Sequence, residues 1–335
     1  MISAVMPVYN CAEFVRESVQ SVLDQTEADF ELLILDDCST DGTVERLRSL
    51  DDPRIRLFLS DRNIGQANQL NKGIGLAIGE YIAIVHGDDI NHPERFSEQL
   101  AAFRNDPEID IIGTWIEYFG GRQGDWKTPV GTQECFMELL TESPLAHPTV
   151  MIRKKRLAGL EPIYRQDKVP AEDYDLWVRL SVSCKFSNVP KRLLRYRMHD
   201  NQVSTQKAAL LQDKIGEIRR DFMALHLKDA DQASLDLLRQ LWDFRAGAGI
   251  SYKMVRNSGR LAHCLADGKG IERNKAKAFL DQWIYRNLLI TKNYAPGVGI
   301  YFLFTHPFYF FQKRPTDLVR ILFRSFHAKT RFYLS

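Results

Sequence analysis

Through its first hundred residues the chain alternates short apolar runs with amphipathic helical stretches, and few folds accept that rhythm. Residues 2–8 read as a buried strand, and 12–25 place Phe14, Val15, Val19, Val22 and Leu23 at helical spacing. Further strands are expected at 32–35, 54–59 and 81–85, with helices at 43–50, 66–78 and from Pro93 to Phe103. Strand and helix in alternation mean βαβ units, and so a mostly parallel sheet with helices on both faces. Such sheets bind ligands outside the carboxyl ends of their strands. Polar clusters follow three of the predicted strands, Tyr9-Asn10, Asp36-Asp37 and His86-Gly-Asp-Asp89. They converge on one edge.

The edge lacks the usual phosphate-binding devices. No GxGxxG follows the first strand, and no GxxxxGK[ST] occurs anywhere. An acid-rich site that binds a polyphosphate without a glycine cradle needs a divalent cation between carboxylate and phosphate. Asp88-Asp89 is where that cation fits, although the pair also suits a solvated turn or a cap for the helix after Pro93. A second acidic cluster, Glu172-Asp173, opens a predicted helix over 173–181. A carboxylate there can take a proton from an attacking hydroxyl. It can equally cap the helix, with Leu176, Trp177 and Leu180 as core.

Charge is divided unevenly. Residues 1–110 hold 21 acidic and 9 basic side chains, a balance of −12; the remainder hold 22 and 36, a balance of +14. Such a division points to different partners for the two parts. The five cysteines are scattered and form no CxxC, which argues against a disulfide framework and for a reducing compartment. The amino terminus has no signal-peptide pattern, and the longest apolar run, 297–311, is broken by His306-Pro307. A cytoplasmic protein that does not span the membrane is expected. Beyond residue 205 the periodicity is helical, at 207–227, 232–245 and 275–289. The end interleaves Tyr301, Phe302, Phe304, Phe308, Tyr309, Phe310 and Phe311 with Lys313, Arg314, Arg320, Arg324, Lys329 and Arg331. That composition suits an anionic membrane surface, here the inner face of the plasma membrane, or a core helix pair with a solvated basic face. No nucleic-acid-binding motif accompanies it.

Taken in order, Pro7-Val-Tyr-Asn10, Asp36-Asp-Cys-Ser-Thr-Asp-Gly42, Asn63-Ile-Gly65, Asn71-Lys-Gly73, Gly79-Glu-Tyr81, Gly87-Asp-Asp-Ile90, His147-Pro-Thr149, Ala171-Glu-Asp-Tyr-Asp-Leu-Trp177 and Tyr196-Arg-Met-His199 resemble the family 2 glycosyltransferases. The resemblance covers about 1–205. It implies a GT-A fold, with 1–110 as the nucleotide half and 111–205 as the acceptor half, followed by a helical region over 206–335. It also implies inverting transfer of a sugar from a nucleotide-sugar, a UDP-sugar first, to a saccharide or lipid-linked saccharide.

By the same resemblance, Pro7, Val8, Tyr9, Asn10, Asp37, Gly65, Asn71, Gly87 and Asp88 bind nucleotide, with Asp37 accepting from the base. Asp88 and His199 hold Mn²⁺ or Mg²⁺. Asp173 is the general base with Glu172 supporting it, and His147 and Trp177 are candidates to face the acceptor, with core packing the alternative. One departure stands out: the first acid of the family's DxD pattern is His86 here. Two rivals remain. A catalytically inactive binding protein on the same fold would tolerate His86. A sugar-phosphate nucleotidyltransferase would need a glycine-rich basic loop after the first strand, and Tyr9-Asn-Cys-Ala-Glu13 is neither.

Overall fold

The structure, a computed structural model, describes residues 1–199, 207–243, 252–267 and 271–290. The chain divides into two compact units, Met1–Phe222 and Met223–Ser335. The stretch 200–206, where the sequence puts a boundary, and the aromatic, basic tail over 301–331 lie outside the described residues.

The first unit opens with β1 (Ile2–Val8), α1 (Val15–Leu23), β2 (Phe30–Asp36), α2 (Thr43–Arg48), β3 (Ile55–Leu59), α3 (Gln66–Leu76) and β4 (Tyr81–Ile84). The four strands lie in the order β3-β2-β1-β4 and all run parallel. Apolar side chains on both faces of β1 and β2 explain the near-continuous runs, since helices cover the sheet from both sides. Val15, Val19 and Val22 of α1 join Ala4, Met6, Leu32 and Ile34 in one core. On the other face Gly73 of α3 lies so close to Val5 and Leu35 that a Cβ would overlap both side chains.

After β4 come β5 (Ile90–Asn91), α4 (Arg95–Asn105), β6 (Ile111–Gly120), β7 (Gly124–Trp126), α5 (Thr132–Glu138), β8 (Met151–Arg153), α6 (Glu172–Leu180) and β9 (Phe186–Met198). The full order is β3-β2-β1-β4-β8-β6-β9-β5, with β7 hairpinned onto β6. Beyond β4 the sheet runs both ways: β8 is antiparallel to β4 and β6, whereas β9 is parallel to β6.

The strand β9 has no clear signature in the sequence. Pro190, Lys191 and Arg192 interrupt its apolar pattern and are exposed. The ladder absorbs the interruption in two steps: Thr114 faces Val189, the next residue Trp115 faces Arg192, and Ile116 faces Leu194, so that Pro190, Lys191 and then Leu193 have no partner on β6. Helix α7 (Ala208–His226) follows, and its residues up to Phe222 belong to this unit. Arg219 donates to the Thr141 carbonyl at 2.7 Å, and Lys168 pairs with Glu217 at 3.0 Å.

In the second unit the described helices are α8 (Gln232–Asp243), α9 (Tyr252–Ala266) and α10 (Arg273–Ile290). Leu237, Leu241, Leu261, Leu265, Leu280 and Ile284 are buried. No helix of the described residues is long and apolar enough to cross a membrane.

Candidate active site

The carboxyl end of β1 begins the site. Asn10 takes a left-handed backbone (φ 46°), and its side-chain oxygen accepts from Thr40 N–H at 2.8 Å. Its own N–H donates to Ser39 Oγ at 2.9 Å. The turn after β2 is thus fastened to the turn after β1, leaving Tyr9 half exposed above both. Asp37 is buried and its carboxylate accepts three hydrogen bonds, from the Ile64 and Gly65 N–H groups at 2.8 Å and from Gln69 at 2.7 Å. Gly65 has φ 88°, and a Cβ there would also press on Gln166. Asp37 therefore anchors the 63–65 loop. Asn71 donates to the Tyr164 carbonyl and accepts from the Tyr164 N–H, both at 2.8 Å.

The loop leaving β4 carries the second group. Gly87 passes so near β1 that a Cβ would lie 2.8 Å from Val8. Next to it, ligand atoms of His86, Asp88 and Asp89 all lie within 4.8 Å of one another. Asp89 is buried; its Oδ1 accepts from Arg197 N–H at 2.9 Å, while its Oδ2 has no hydrogen-bond partner. An orphaned buried carboxylate oxygen is costly unless a cation or donor joins it. Burial, and then the charge of Asp88, pushes the Asp89 carboxyl well above the usual range. The Arg197 N–H and its guanidinium, and then the wholly buried Arg95 guanidinium, offset this in part, and burial brings Arg95 itself down to about 9. The two carboxylates suit Mg²⁺ or Mn²⁺, and the imidazole beside them is a donor that Mn²⁺ accepts more readily than Mg²⁺.

Strand β9 closes over this group. Arg197 Nε donates to the Asp88 carbonyl at 2.8 Å, and its guanidinium pairs with Glu17 at 2.5 Å. Just beyond the strand, His199 Nε2 lies 3.1 Å from Asp88 Oδ2, with its ring 5.3 Å from Phe14. The two residues expected to share a cation, Asp88 and His199, are hydrogen-bonded neighbours.

The third group is the first turn of α6. Burial pushes Asp173 up to about 6. Burial, and then the Asp173 charge, pushes Glu172 up to about 7. Glu172 Oε2 is buried and has no hydrogen-bond partner. It lines a cavity of about 350 Å³ with Asn63, Ile64, Gly65, Gln166 and Lys207. Tyr196 on β9 ties this group to the previous one: burial, then the charges of Asp89, Asp88 and, more weakly, Asp173 raise its phenol.

The two acceptor candidates turn inward. Trp177 is wholly buried, its ring 6.4 Å from those of His147 and Phe186, which is the core alternative that the sequence leaves open. His147 is nearly buried between His86 and Tyr164. Sequence reasoning overlooks Tyr164, Tyr196 and Arg197 as members of the site. Only the first is without any signal, since the other two stand within the Tyr196-Arg-Met-His199 motif.

The fold and this clustering are those of a sugar-transferring enzyme. A family model, "Glycosyl transferase family 2", matches residues 3–159. An uncharacterized glycosyltransferase of Methanocaldococcus jannaschii is 31% identical over 223 residues, 62% of this chain and 74% of that protein. The hyaluronan synthase of Pasteurella multocida is 29% identical over 63% of this chain, which spans 22% of that much longer protein. Among solved structures, S. aureus TarS 1–349 in complex with UDP-GlcNAc superposes with TM-score 0.59 at 17% identity, over 85% of this chain and 90% of that one. A mannosyltransferase from Pyrobaculum calidifontis in complex with GDP-Man and Mn²⁺ gives TM-score 0.50 at 16% identity, over 86% of each chain. The chain belongs to glycosyltransferase family 2, and it has the GT-A fold.

Proposed function

We propose that this glycosyltransferase moves a sugar from a nucleotide-sugar, a UDP-sugar first, to a saccharide hydroxyl with inversion at the transferred carbon. The observation that carries the reading is two acidic groups in one unit: after β4, ligand atoms of His86, Asp88 and Asp89 within 4.8 Å of one another with a buried Asp89 oxygen that has no partner, and Glu172 and Asp173 opening α6. One group suits a departing diphosphate and the other an incoming hydroxyl. The complexes of TarS with UDP-GlcNAc and of the mannosyltransferase with GDP-Man and Mn²⁺ support a nucleotide-sugar donor. The hyaluronan and chondroitin synthases among the relatives support a growing polysaccharide, free or lipid-linked, as acceptor.

In this reading Pro7, Val8, Tyr9 and Asn10 form the floor for the nucleoside, and Asp37 meets the base while holding the Gly65 loop. Asp88 and Asp89, with His199 beside Asp88, hold the divalent cation. When bound, the cation neutralises charge on the diphosphate. Asp173 accepts the proton of the acceptor hydroxyl as its oxygen attacks the sugar carbon. A carboxylate raised to about 6 is a stronger base than an ordinary aspartate and remains mostly ionised at neutral pH. Glu172 shapes the neighbouring cavity and withholds a second full charge from the base. A non-catalytic scaffold gains nothing from an orphaned Asp89 oxygen and a raised Asp173.

A panel of nucleotide-sugars tests the reading, with release of nucleoside diphosphate as the readout in the presence and absence of Mn²⁺. Release from at least one donor, abolished in Asp88→Asn, is expected. No release and no thermal stabilisation by any nucleotide would refute it.

A further inference from the structure

Three side chains from distant segments form a buried hydrogen-bonded chain behind the acidic loop. His86 Nε2 lies 3.2 Å from His147 Nδ1, and His147 Nε2 lies 3.0 Å from Tyr164 Oη. At the open end, His86 Nδ1 faces Asp89 Oδ2 at 3.9 Å. Tyr164 is wholly buried, and its backbone is fixed in both directions by Asn71. A histidine that binds a cation does so as the neutral imidazole. Each neutral ring carries one N–H, so the chain has two proton arrangements.

In the first arrangement Tyr164 O–H donates to His147 Nε2, His147 Nδ1–H donates to His86 Nε2, and His86 Nδ1–H points at Asp89. In the second every donor is reversed. His86 Nε2–H donates to His147 Nδ1, His147 Nε2–H donates to Tyr164 Oη, and the His86 Nδ1 lone pair faces Asp88 and Asp89. Only the second lets His86 bind a cation, and a ligating histidine needs an acceptor for its other N–H. His147 is that acceptor when its own Nε2–H donates to Tyr164 Oη, an oxygen that can accept as well as donate.

We propose that His86 is a cation ligand through Nδ1, and that His147 and Tyr164 are positioning residues that hold its ligating tautomer and so favour Mn²⁺ over Mg²⁺. The inference rests on the cation reading above. It is supported by the unpartnered, buried Oδ2 of Asp89 and by the mutual reach of the three ligand atoms. An imidazole nitrogen suits a transition metal, whereas Mg²⁺ favours oxygen. A neutral ring also spares the site a third carboxylate beside the diphosphate.

The test uses the full chain with UDP present, titrated calorimetrically with Mn²⁺ and with Mg²⁺. Electron spin-echo modulation of the Mn²⁺-loaded His199→Gln protein reads nitrogen coordination without a second imidazole beside Asp88. Imidazole ¹⁴N modulation is expected there, and its loss is expected on adding His86→Ala. The outer partner, changed as Tyr164→Phe, should weaken Mn²⁺ binding about 10-fold and leave Mg²⁺ binding nearly unchanged. His86→Asp should abolish the preference for Mn²⁺ while keeping both cations bound.

Modulation that persists in His86→Ala, or a Mn²⁺ preference unchanged in His86→Asp, would overturn the proposal and leave the cation reading standing. Binding of neither cation to the unmodified protein would overturn both.

Discussion

Asp173 offers the sharpest test, because its proposed role and its environment predict the same pH dependence. Burial in the first turn of α6 raises its carboxyl from 3.8 to about 6. A base with that value is about 90% ionised at pH 7 and about 10% at pH 5, so kcat/KM should fall roughly tenfold between them. An aspartate left at its ordinary value would lose only about 6% over the same range. The assay is initial-rate release of nucleoside diphosphate at limiting acceptor, from pH 5 to 8, with folding checked by circular dichroism at each pH. Asp173→Asn should lower kcat/KM by about 10²–10⁴, or roughly 3–5 kcal/mol of barrier, and should remove the acid limb. Glu172→Gln should retain that limb. An Asp173→Asn enzyme above a third of normal activity, or one that keeps the limb near pH 6, would refute the assignment of the base.

Two further predictions concern stability. Glu172 is raised from 4.5 to about 7, so the folded state holds its proton more tightly than the unfolded state. Its ionisation therefore costs stability as pH rises from about 4.5 to 7, by roughly 3 kcal/mol in full, and Glu172→Gln should stabilise the chain at pH 8 more than at pH 5 in urea melts. An equal effect at both values would contradict the burial argument. Asn71→Ala removes both side-chain bonds to the Tyr164 backbone and should destabilise the first unit by about 1–3 kcal/mol; an unchanged urea midpoint would show that the tie contributes nothing.

What the sequence discloses follows from where side chains are buried. Strands β1, β2 and β4 are legible because helices cover both faces and leave continuous apolar runs. Strand β9 is not, because its bulge exposes Pro190, Lys191 and Arg192 in mid-strand. The motif residues divide the same way. Asp88 and His199 are legible as a pair and are hydrogen-bonded. Asn71 is legible as a motif residue, yet its partner is a backbone 93 residues away. Tyr164 sits in a loop with no periodicity, and only tertiary contact reveals its hydroxyl at His147. Sequence distance hides such partners, because neither neighbour carries a trace of the other.

The bulge in β9 explains how one strand can serve both acidic groups. Before it, the strand pairs with β6 from Ile111↔Phe186 to Thr114↔Val189; Trp115 then faces Arg192, and from Ile116↔Leu194 onward the register is shifted by three residues in all. A shift of three is odd, so the residues after the bulge take the faces that their sequence neighbours would otherwise have taken. Tyr196 therefore lies opposite Tyr118, where the unshifted ladder would place Leu193. The same stretch pairs antiparallel with β5, so Arg195 meets Ile90 directly after Asp89. Arg197 then reaches the Asp88 carbonyl and the Asp89 carboxylate together. The acidic loop is held by backbone and guanidinium donors that approach from one side, and the orphaned Asp89 oxygen is left as the unsatisfied acceptor. The residues that make β9 unreadable as a strand are thus the ones that set the position of its functional end.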